Sequence, residues 1–218
     1  MKTIIYVLAV LSLALTNCKK ESISGEGPVE TQVRTVSNFD KVFVSGASKT
    51  TIRMGDQFSV TVKAYSTLLP YLETRVVNGA LQVSYKDDTR IKNDNSEILI
   101  TMPRLDDIKS EGSGIVLVTG DFGRNDTFGV KISGSSNITI EKGSARLFKA
   151  VIEGSGDIKA FGFQSEEADL RVSGSGDTEI AVSKKLDVKI SGSGNVFYMG
   201  DPASINTEIS GSGRLIRQ

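Results

Sequence analysis

Apolar and polar residues alternate along this chain in short runs, and several of these runs pass through a pair of glycines. The clearest is ISGSGNV at 190–196, where an apolar residue stands two positions before the first glycine and another four positions after it. Small polar groups fill the positions between. Alternation with a period of two is typical of a strand that buries one face. Because the alternation continues across the glycines, each run predicts a strand, a tight corner and a second strand.

This corner recurs along the second half of the chain at a nearly constant spacing. Its first glycines stand at 112, 134, 154, 174, 192 and 211, with steps of 22, 20, 20, 18 and 19 residues. A fixed period near twenty indicates a stacked repeat, whose coils lie about 4.8 Å apart and bury their apolar positions against each other. We therefore predict an all-β, parallel β-helix-like solenoid with coils of about 20 residues and Gly-Ser-Gly corners.

The segment at 31–110 is rich in predicted strands but less regular. Its residues 45–48, read SGAS, have the offsets of the later corners and form a degenerate copy. Alternating runs at 58–62 and 81–85 predict further strands, and Asn78-Gly79 predicts a hairpin turn. Since a stack of coils needs covered ends, we predict that 31–110 is an N-terminal strand-rich cap and that 111–218 contains the repeats.

The start of the chain has the pattern of a secretory signal. A short basic start precedes a mostly apolar run at 4–15, which is too short to cross a bilayer core of about 30 Å. The run LTNC at 15–18 resembles a lipobox, with Asn17 where a smaller residue is usual. We predict a signal peptide at 1–17, a lipid on Cys18 and a tether at 18–30. The alternative is an ordinary signal peptide with an incidental cysteine.

The lipid on Cys18 would place the protein in the cell envelope, attached to a membrane. The outer membrane is favoured, because Lys19-Lys20-Glu21 weakly resembles a signal found after the cysteine of some surface lipoproteins. Whether the domain would face the periplasm or the outside stays open.

Composition excludes several classes of function. The 26 basic and 26 acidic side chains leave no positive excess, which argues against a nucleic-acid partner. The chain has no histidine and one cysteine, Cys18. Ser–His–Asp triads, Cys–His pairs and histidine metal ligands are therefore excluded. We predict no catalytic residue and no cofactor, apart from the calcium site considered below.

The corners followed by Asp or Asn, the segment Phe39-Asp40-Lys41-Val42 and the lipoprotein-type leader together resemble the head GIN domain family. The resemblance covers about residues 33–218. It implies a β-helix-like solenoid, in agreement with the alternation described above. Members of this family are described as putative auto-transporter adhesins of unknown function, so the resemblance implies adhesion and transfers no functional residue.

Two interpretations of the function remain open. The first is a non-catalytic lipoprotein that binds or scaffolds envelope glycans or proteins through the outer faces of the solenoid. The second is a carbohydrate-acting enzyme of the polyuronide type, using clustered carboxylates and calcium. A deep groove with clustered acidic and basic groups would favour the enzyme, whereas solvated loop charges would not. The candidate carboxylates are Asp87, Asp88, Asp106, Asp107, Glu166 and Glu167.

One polar column follows the corners: Asn137, Asp157, Asp177 and Asn195. Stacking brings these side chains about 4.8 Å apart. Adjacent carboxylates repel each other unless they are protonated, paired or bridged by a cation, so Asp157 and Asp177 are candidates for one weak calcium site. The alternative is that both cap backbone N–H groups of the turn.

The last coil predicts a contact between copies of the chain. An uncapped coil exposes unpaired strand edges, which invite pairing with another chain. The apolar run VFYM at 196–199 lies near this end. We predict a homodimer through the C-terminal coil; the alternative is that Arg214 and Arg217 blunt the edge.

Overall fold

A computed structural model of the protein describes residues 21–87 and 89–218. The described residues form strands joined by turns, without a helix. In chain order the strands are β1 (Glu21–Ser24), β2 (Val29–Arg34), β3 (Lys41–Gly46), β4 (Lys49–Met54), β5 (Ser59–Tyr65), β6 (Leu72–Val77), β7 (Ala80–Tyr85), β8 (Thr89–Lys92), β9 (Glu97–Met102), β10 (Asp107–Gly112), β11 (Ile115–Thr119), β12 (Arg124–Gly134), β13 (Asn137–Ile140), β14 (Gly143–Gly154), β15 (Ile158–Gly174), β16 (Thr178–Gly192), β17 (Val196–Met199), β18 (Ser204–Gly211) and β19 (Leu215–Arg217).

Two columns of parallel strands form the body of the fold, and each corner glycine marks the passage from one column to the other. The first column stacks β3, β10, β12, β14, β15, β16 and β18. The second stacks β4, β11, β13, β15, β16, β17 and β19. The first glycine of each corner pairs with that of the next, from Gly46 to Gly211. The predicted all-β solenoid is therefore confirmed.

The inward positions of successive coils form one continuous core. Ile132, Ile152 and Ile190 stand two residues before their corner glycines and are 0% exposed. Each buried isoleucine stabilises the stack by about 1.5–3 kcal/mol relative to an exposed one. At the other side of the coil, the rings of Phe128 and Phe163 pack with their centroids 4.8 Å apart. The apolar half of the sequence alternation thus becomes the interior of the solenoid.

The N-terminal segment closes one end of the stack. Gly46 pairs with Gly112, so the degenerate copy is the first coil, although 65 residues separate the two glycines in the chain. Strands β7 and β9 add a further layer parallel to β3 and β4. Beyond them β6, β5 and β2 pair antiparallel, and a turn buries Leu68 and Leu69. This is the predicted strand-rich cap.

The first described residues are part of the fold. Strand β1 pairs in parallel with β8, and β2 pairs with β5. Between these strands, the Gly25 N–H donates to the Lys92 carbonyl over 2.9 Å, and Asn93 Nδ2 donates to the Gly25 carbonyl over 2.6 Å. Most of the segment expected to be a tether, 18–30, is thus docked on the cap.

The predicted signal peptide and Cys18 lie outside the described residues. Among the residues that are described, no helix is long and apolar enough to cross a membrane.

The opposite end of the stack has no comparable cover among the described residues. Strand β18 pairs with β16 on one side, and every residue of β18 is exposed. Ile205 and Ile209 continue inward columns, yet they are 42% and 41% exposed. The solenoid is therefore capped at one end and open at the other.

Candidate binding surfaces

Glycine corners form a ridge along one side of the solenoid because the coils approach closely there. Gly154 has a φ of 136°, and a Cβ at this residue would lie 2.2 Å from the carbonyl oxygen of Gly134. The same contact recurs at Gly174, whose Cβ would lie 2.0 Å from the Gly154 oxygen. No larger residue fits such an approach, so these glycines serve the stacking of the coils.

The polar column beside the ridge forms a ladder of hydrogen bonds. The backbone N–H of Asp157 donates to Asn137 Oδ1 over 3.1 Å, and that of Asp177 donates to Asp157 Oδ1 over 2.9 Å. Asn195 donates to Asp177 Oδ1 from its backbone N–H at 2.7 Å and from Nδ2 at 3.1 Å. The side chains of Asn137, Asp157 and Asp177 therefore cap a backbone group of the next coil rather than of their own turn.

This ladder occupies one carboxylate oxygen of both calcium candidates, Asp157 and Asp177. Within residues 21–87 and 89–218, no three His, Cys, Asp or Glu side chains are grouped so that they could hold a metal ion. A calcium ion at these two aspartates would have to draw further ligands from backbone carbonyls and water.

The carboxylates considered for an enzyme are dispersed over different parts of the surface. Asp106 and Asp107 lie at the start of β10, whereas Glu166 and Glu167 lie in β15, three strands or about 14 Å further along the same column. Asp87 lies beside β8 at the capped end, and Asp88 is outside the described residues. The deep groove that would gather these groups is not formed by the described residues.

A shallow groove of about 330 Å³ lies on the first column, around Asp107. Gly129 forms its floor, and a Cβ there would lie 2.2 Å from Asp107 Oδ2. Lys41, Lys131 and Lys149 stand at its edges. Burial raises the pKa of the Asp107 carboxyl, Lys41 opposes that rise, and Asp106 adds to it.

Neighbouring Asp106 has its own partners. Arg104 Nε lies 2.8 Å from its carboxylate, and Asn125 Nδ2 donates to it over 2.8 Å. Asp106 is therefore held as a paired carboxylate.

Charged residues at the second corner of the coil form a network of ion pairs. Glu166 contacts both Arg124 and Lys184, the latter at 2.6 Å. Arg146 Nε lies 2.8 Å from Asp126. A hydrogen bond from Arg146 holds the pKa of Asp126 below its ordinary value, and Lys184 does the same for Glu166. These groups neutralise one another at the surface, which suits a structural role better than catalysis.

A pocket of about 450 Å³ lies where the first corner meets the cap. Tyr85 lines it and donates a 2.8 Å hydrogen bond to Asp94 Oδ1. Burial is the main cause that raises the pKa of Tyr85 well above its ordinary value. The backbone N–H of Ser96 also donates to Asp94. Asp94 thus ties the irregular loop after β8 to the corner, and we assign this contact to folding.

The second column carries an uncharged row on its outer face, continuous over several strands. The residues of this row lie directly opposite one another on adjacent strands, and all of them are at least partly exposed. Val33 is 74% exposed, and Ile115 beside the row is 52% exposed. Five steps of 4.8 Å give this row a length of roughly 24 Å. We name the following residues the uncharged row: Val33, Thr61, Leu99, Thr51, Leu117 and Thr139.

Charge returns along one side of the uncharged row and at one of its ends. Lys63 and Glu97 form an ion pair of 3.4 Å beside the row. Lys159 lies opposite Thr139 on the next strand of the stack, so the row ends in a charge there. A shallow groove of about 310 Å³ lies between the row and Lys49. The arrangement is a flat, rigid, partly apolar strip with polar borders.

Sequence reasoning missed the Asp107 groove and the uncharged row. The register of the corners contains a signal for the groove, because counting back from each first glycine aligns Asp107, Gly129 and Lys149. The uncharged row offers no such signal. Val33, Thr61 and Leu99 come from the irregular segment and meet through antiparallel pairing.

Comparison with protein families gives one match that covers most of the chain. Residues 38–202 match the family described as "putative auto-transporter adhesin, head GIN domain". No curated protein matches the sequence significantly.

Several solved structures share this fold. A putative adhesin from Bacteroides fragilis has a TM-score of 0.70 and 18% identity, with 90% of this chain and 100% of that chain covered. A putative adhesin from Parabacteroides merdae has a TM-score of 0.61 and 18% identity, covering 91% and 99%. A putative lipid binding protein from Parabacteroides distasonis has a TM-score of 0.58 and 22% identity, covering 91% and 100%.

Proposed function

Since the chain belongs to the head GIN domain family, we propose that it is a non-catalytic binding or adhesion module of the cell envelope, anchored by a lipid on Cys18. The observation that carries the proposal is the uncharged row, a flat strip with partly exposed side chains on a rigid stack of strands. Flat partly apolar strips with polar borders are typical of surfaces that contact a macromolecule. The family description as adhesins supports the same role.

The occupant of the strip is an envelope glycan or protein rather than a small metabolite. The grooves beside the strip are shallow, and small-molecule sites generally enclose most of their ligand. Threonine hydroxyls can both donate and accept hydrogen bonds, while Leu99 and Leu117 supply apolar contact. A long polymer lying along the row would contact several strands at once, and each further contact would strengthen its binding.

The chemistry of the surface supports binding without turnover. The chain has no histidine, and its single cysteine is the proposed lipid site. The ion pairs at the second corner are exposed and mutually neutralised. A histidine general base is therefore missing from the sequence, and a cysteine nucleophile is not left over.

The proposed anchor is close to the folded domain. Two residues separate Cys18 from β1, and three residue steps reach at most about 11 Å. A lipid on Cys18 would therefore hold the β1–β8 edge near the membrane. Arg90 and Lys92 are exposed on β8, and their charges suit anionic lipid headgroups.

The anchor is tested by fractionating cells that express the full chain and by measuring the mass of its N-terminal peptide. Wild type should be membrane-bound with an acylated Cys18, whereas Cys18→Ala should leave the membrane fraction or retain its leader. Thr16→Ala is the control and should behave as wild type. A wild-type protein without an acyl group on Cys18 would refute the anchor.

The strip is tested with immobilised envelope polysaccharides and envelope proteins from a bacterium that produces the chain. Leu99→Lys and Leu117→Lys should each weaken binding about tenfold or more, because a charge then meets the apolar contact. Val151→Lys, which changes a partly exposed outward residue of the first column, is the matched control. Equal loss in the control, or no loss in the row variants, would place the binding surface elsewhere.

One observation favours a second candidate function, the carbohydrate-acting enzyme. Asp107 combines a raised pKa with nearby lysines in a groove, as a general acid would need. A panel of polyuronides with added calcium tests it, with reducing ends and unsaturated products as the readout. We expect no product. Product formation by wild type that Asp107→Asn abolishes, with folding retained, would replace the binding proposal.

A further inference from the structure

The open strand β18 carries an inference that is independent of the proposed binding role. We propose that two copies of this chain pair through β18, antiparallel and about a two-fold axis at Thr207. The interaction surface is the free edge of β18 together with the ends of the core columns behind it.

The first argument is that the core continues to this edge without being covered. In the parallel ladder Ile205 follows Leu186 and Ile209 follows Ile190, and both of those predecessors are 0% exposed. Ile205 and Ile209 themselves are 42% and 41% exposed. An edge strand with exposed core residues and unpaired backbone groups is a template for another strand.

The neighbouring strand at the same end is not suited to such pairing. Arg217 of β19 stands in the row of Tyr198, an inward position, and forms an ion pair of 3.2 Å with Asp201. A charge at this place opposes burial of β19 against a partner. The contact is therefore assigned to β18 alone. The C-terminal arginines oppose strand pairing at β19 and leave the edge of β18 free to pair.

The second argument is that β18 is complementary to itself in one antiparallel register. In a strand pair, residues directly opposite each other point to the same face of the sheet. Only registers whose two-fold axis passes through a residue, rather than between two residues, therefore keep the isoleucines of both copies on the inward face. Centred on Thr207, the strand places Ile205 opposite the partner's Ile209, and Asn206 opposite the partner's Glu208. These are an apolar pair inside and an amide–carboxylate pair outside, each occurring twice.

Neighbouring registers lose this complementarity. Centring on Glu208 places the two glutamates opposite each other and Ile205 opposite the partner's Gly211. Centring on Asn206 places Ile205 opposite the partner's Thr207 and leaves Ile209 outside the paired segment. Like charges directly opposite destabilise a strand pair, and unpaired isoleucines lose their burial.

The occupant is a second copy that meets β18 with its own β18, because the register centred on Thr207 matches apolar and polar positions of the two strands. A head-to-tail contact would set β18 against β6 or β2, where Val33 is 74% exposed on the outer face of the sheet. Such a contact does not close and would produce filaments, whereas the two-fold contact closes as a dimer.

The register is tested by disulfide formation in the full chain carrying Cys18→Ala, which leaves no other cysteine. Thr207→Cys should give a covalent dimer on mild oxidation, because paired Cα atoms lie about 4.5–5.5 Å apart. Ile205→Cys and Ile209→Cys should link poorly alone, since like residues lie four positions or about 13 Å apart. A mixture of those two variants should link to each other.

Sedimentation equilibrium of the wild-type chain gives the second readout. We expect a monomer–dimer equilibrium, and Ile209→Lys should raise the dimer dissociation constant about tenfold or more while the melting temperature of the monomer stays close to wild type. Lys185→Gln, on the outer face of β16, is the control. A wild-type monomer at all concentrations, or filaments, or equal cross-linking from Asn206→Cys and Thr207→Cys, would overturn the proposal.

Discussion

At the scale of single residues, the glycines and the polar column show how closely the coils approach. The corner glycines from Gly112 to Gly211 replace side chains that would collide with backbone, and Asn137, Asp157 and Asp177 each satisfy a backbone donor of the following coil. Buried or half-buried backbone groups need such partners. The repeated sequence at the corners is thus explained by stacking before any ligand is considered.

The close approach at Gly154 predicts a large effect of adding one methyl group. Gly154→Ala combines a φ of 136° with a clash against the Gly134 carbonyl, so it should lower the free energy of unfolding by roughly 3 kcal/mol or more. Gly123→Ala is the control, since a Cβ there meets nothing within 4 Å at a φ of 76°. It should cost about 1 kcal/mol. Urea denaturation measures both, and similar losses would contradict the stacking argument.

The ladder predicts that the acceptor matters more than the charge. Asp177→Ala leaves the Asn195 N–H and Nδ2 without their acceptor, so it should lower the free energy of unfolding by about 1–3 kcal/mol. Asp177→Asn keeps an acceptor oxygen and should stay within about 1 kcal/mol of wild type. Thermal melts with and without calcium measure this. Strong calcium stabilisation that Asp177→Asn removes would instead indicate a cation site.

At the scale of elements, the two corners of a coil are stabilised differently. The glycine corner depends on backbone contact, whereas the second corner combines an aromatic core with paired charges outside. Arg146 reaches both Asp126 of β12 and Glu167 of β15, so it joins strands on either side of its own. Ion pairs therefore link successive strands along this face of the solenoid.

This charged corner predicts a pH dependence of stability with a definite sign. The pKa of Asp126 is lowered in the folded state by Arg146, so its contribution is present above its unfolded pKa near 4 and is lost as pH falls below it. Arg146→Gln should therefore flatten the fall in melting temperature between pH 4 and pH 2. Arg171→Gln, on the same column, is the control. Its melting temperature should fall between pH 4 and pH 2 by as much as that of wild type.

At the scale of the whole molecule, the two ends of the solenoid differ. Antiparallel strands close one end, and the other end finishes with a strand that has a free edge. In stacked repeats each unit is stabilised by its neighbours, and an end unit has a neighbour on one side alone. The capped end also buries Leu68, Leu69 and Leu72 under a turn. Stability should therefore decrease along the stack toward β18.

Hydrogen exchange tests this gradient. Amides of β18 should exchange fastest among the repeat strands, and those of β12 and β14 slowest, because opening from the free end breaks the fewest contacts. The Ile209→Lys variant is the suitable sample, since the proposed dimer would protect β18 in wild type. Uniform protection from β10 to β18 would indicate one cooperative unit without an end effect.

The sequence by itself determined the repeats. Inward Ile and Val at fixed offsets from paired glycines specify a strand–corner–strand unit, and the constant period specifies that the units stack. Both signals are local, because a coil interacts with the coil one period away in a fixed register. The fold class and the first coil at Gly46 could therefore be predicted.

Only the tertiary structure decided what the irregular segments do. The uncharged row joins residues from β2, β5 and β9, and the segment expected to be a tether pairs with β5 and β8. The partner of Asp157 is a backbone group of the next coil, not of its own turn. The pairings of β1, β2, β5 and β9 follow no repeat, so nothing local fixes their register; packing of the apolar faces onto the first coil selects it.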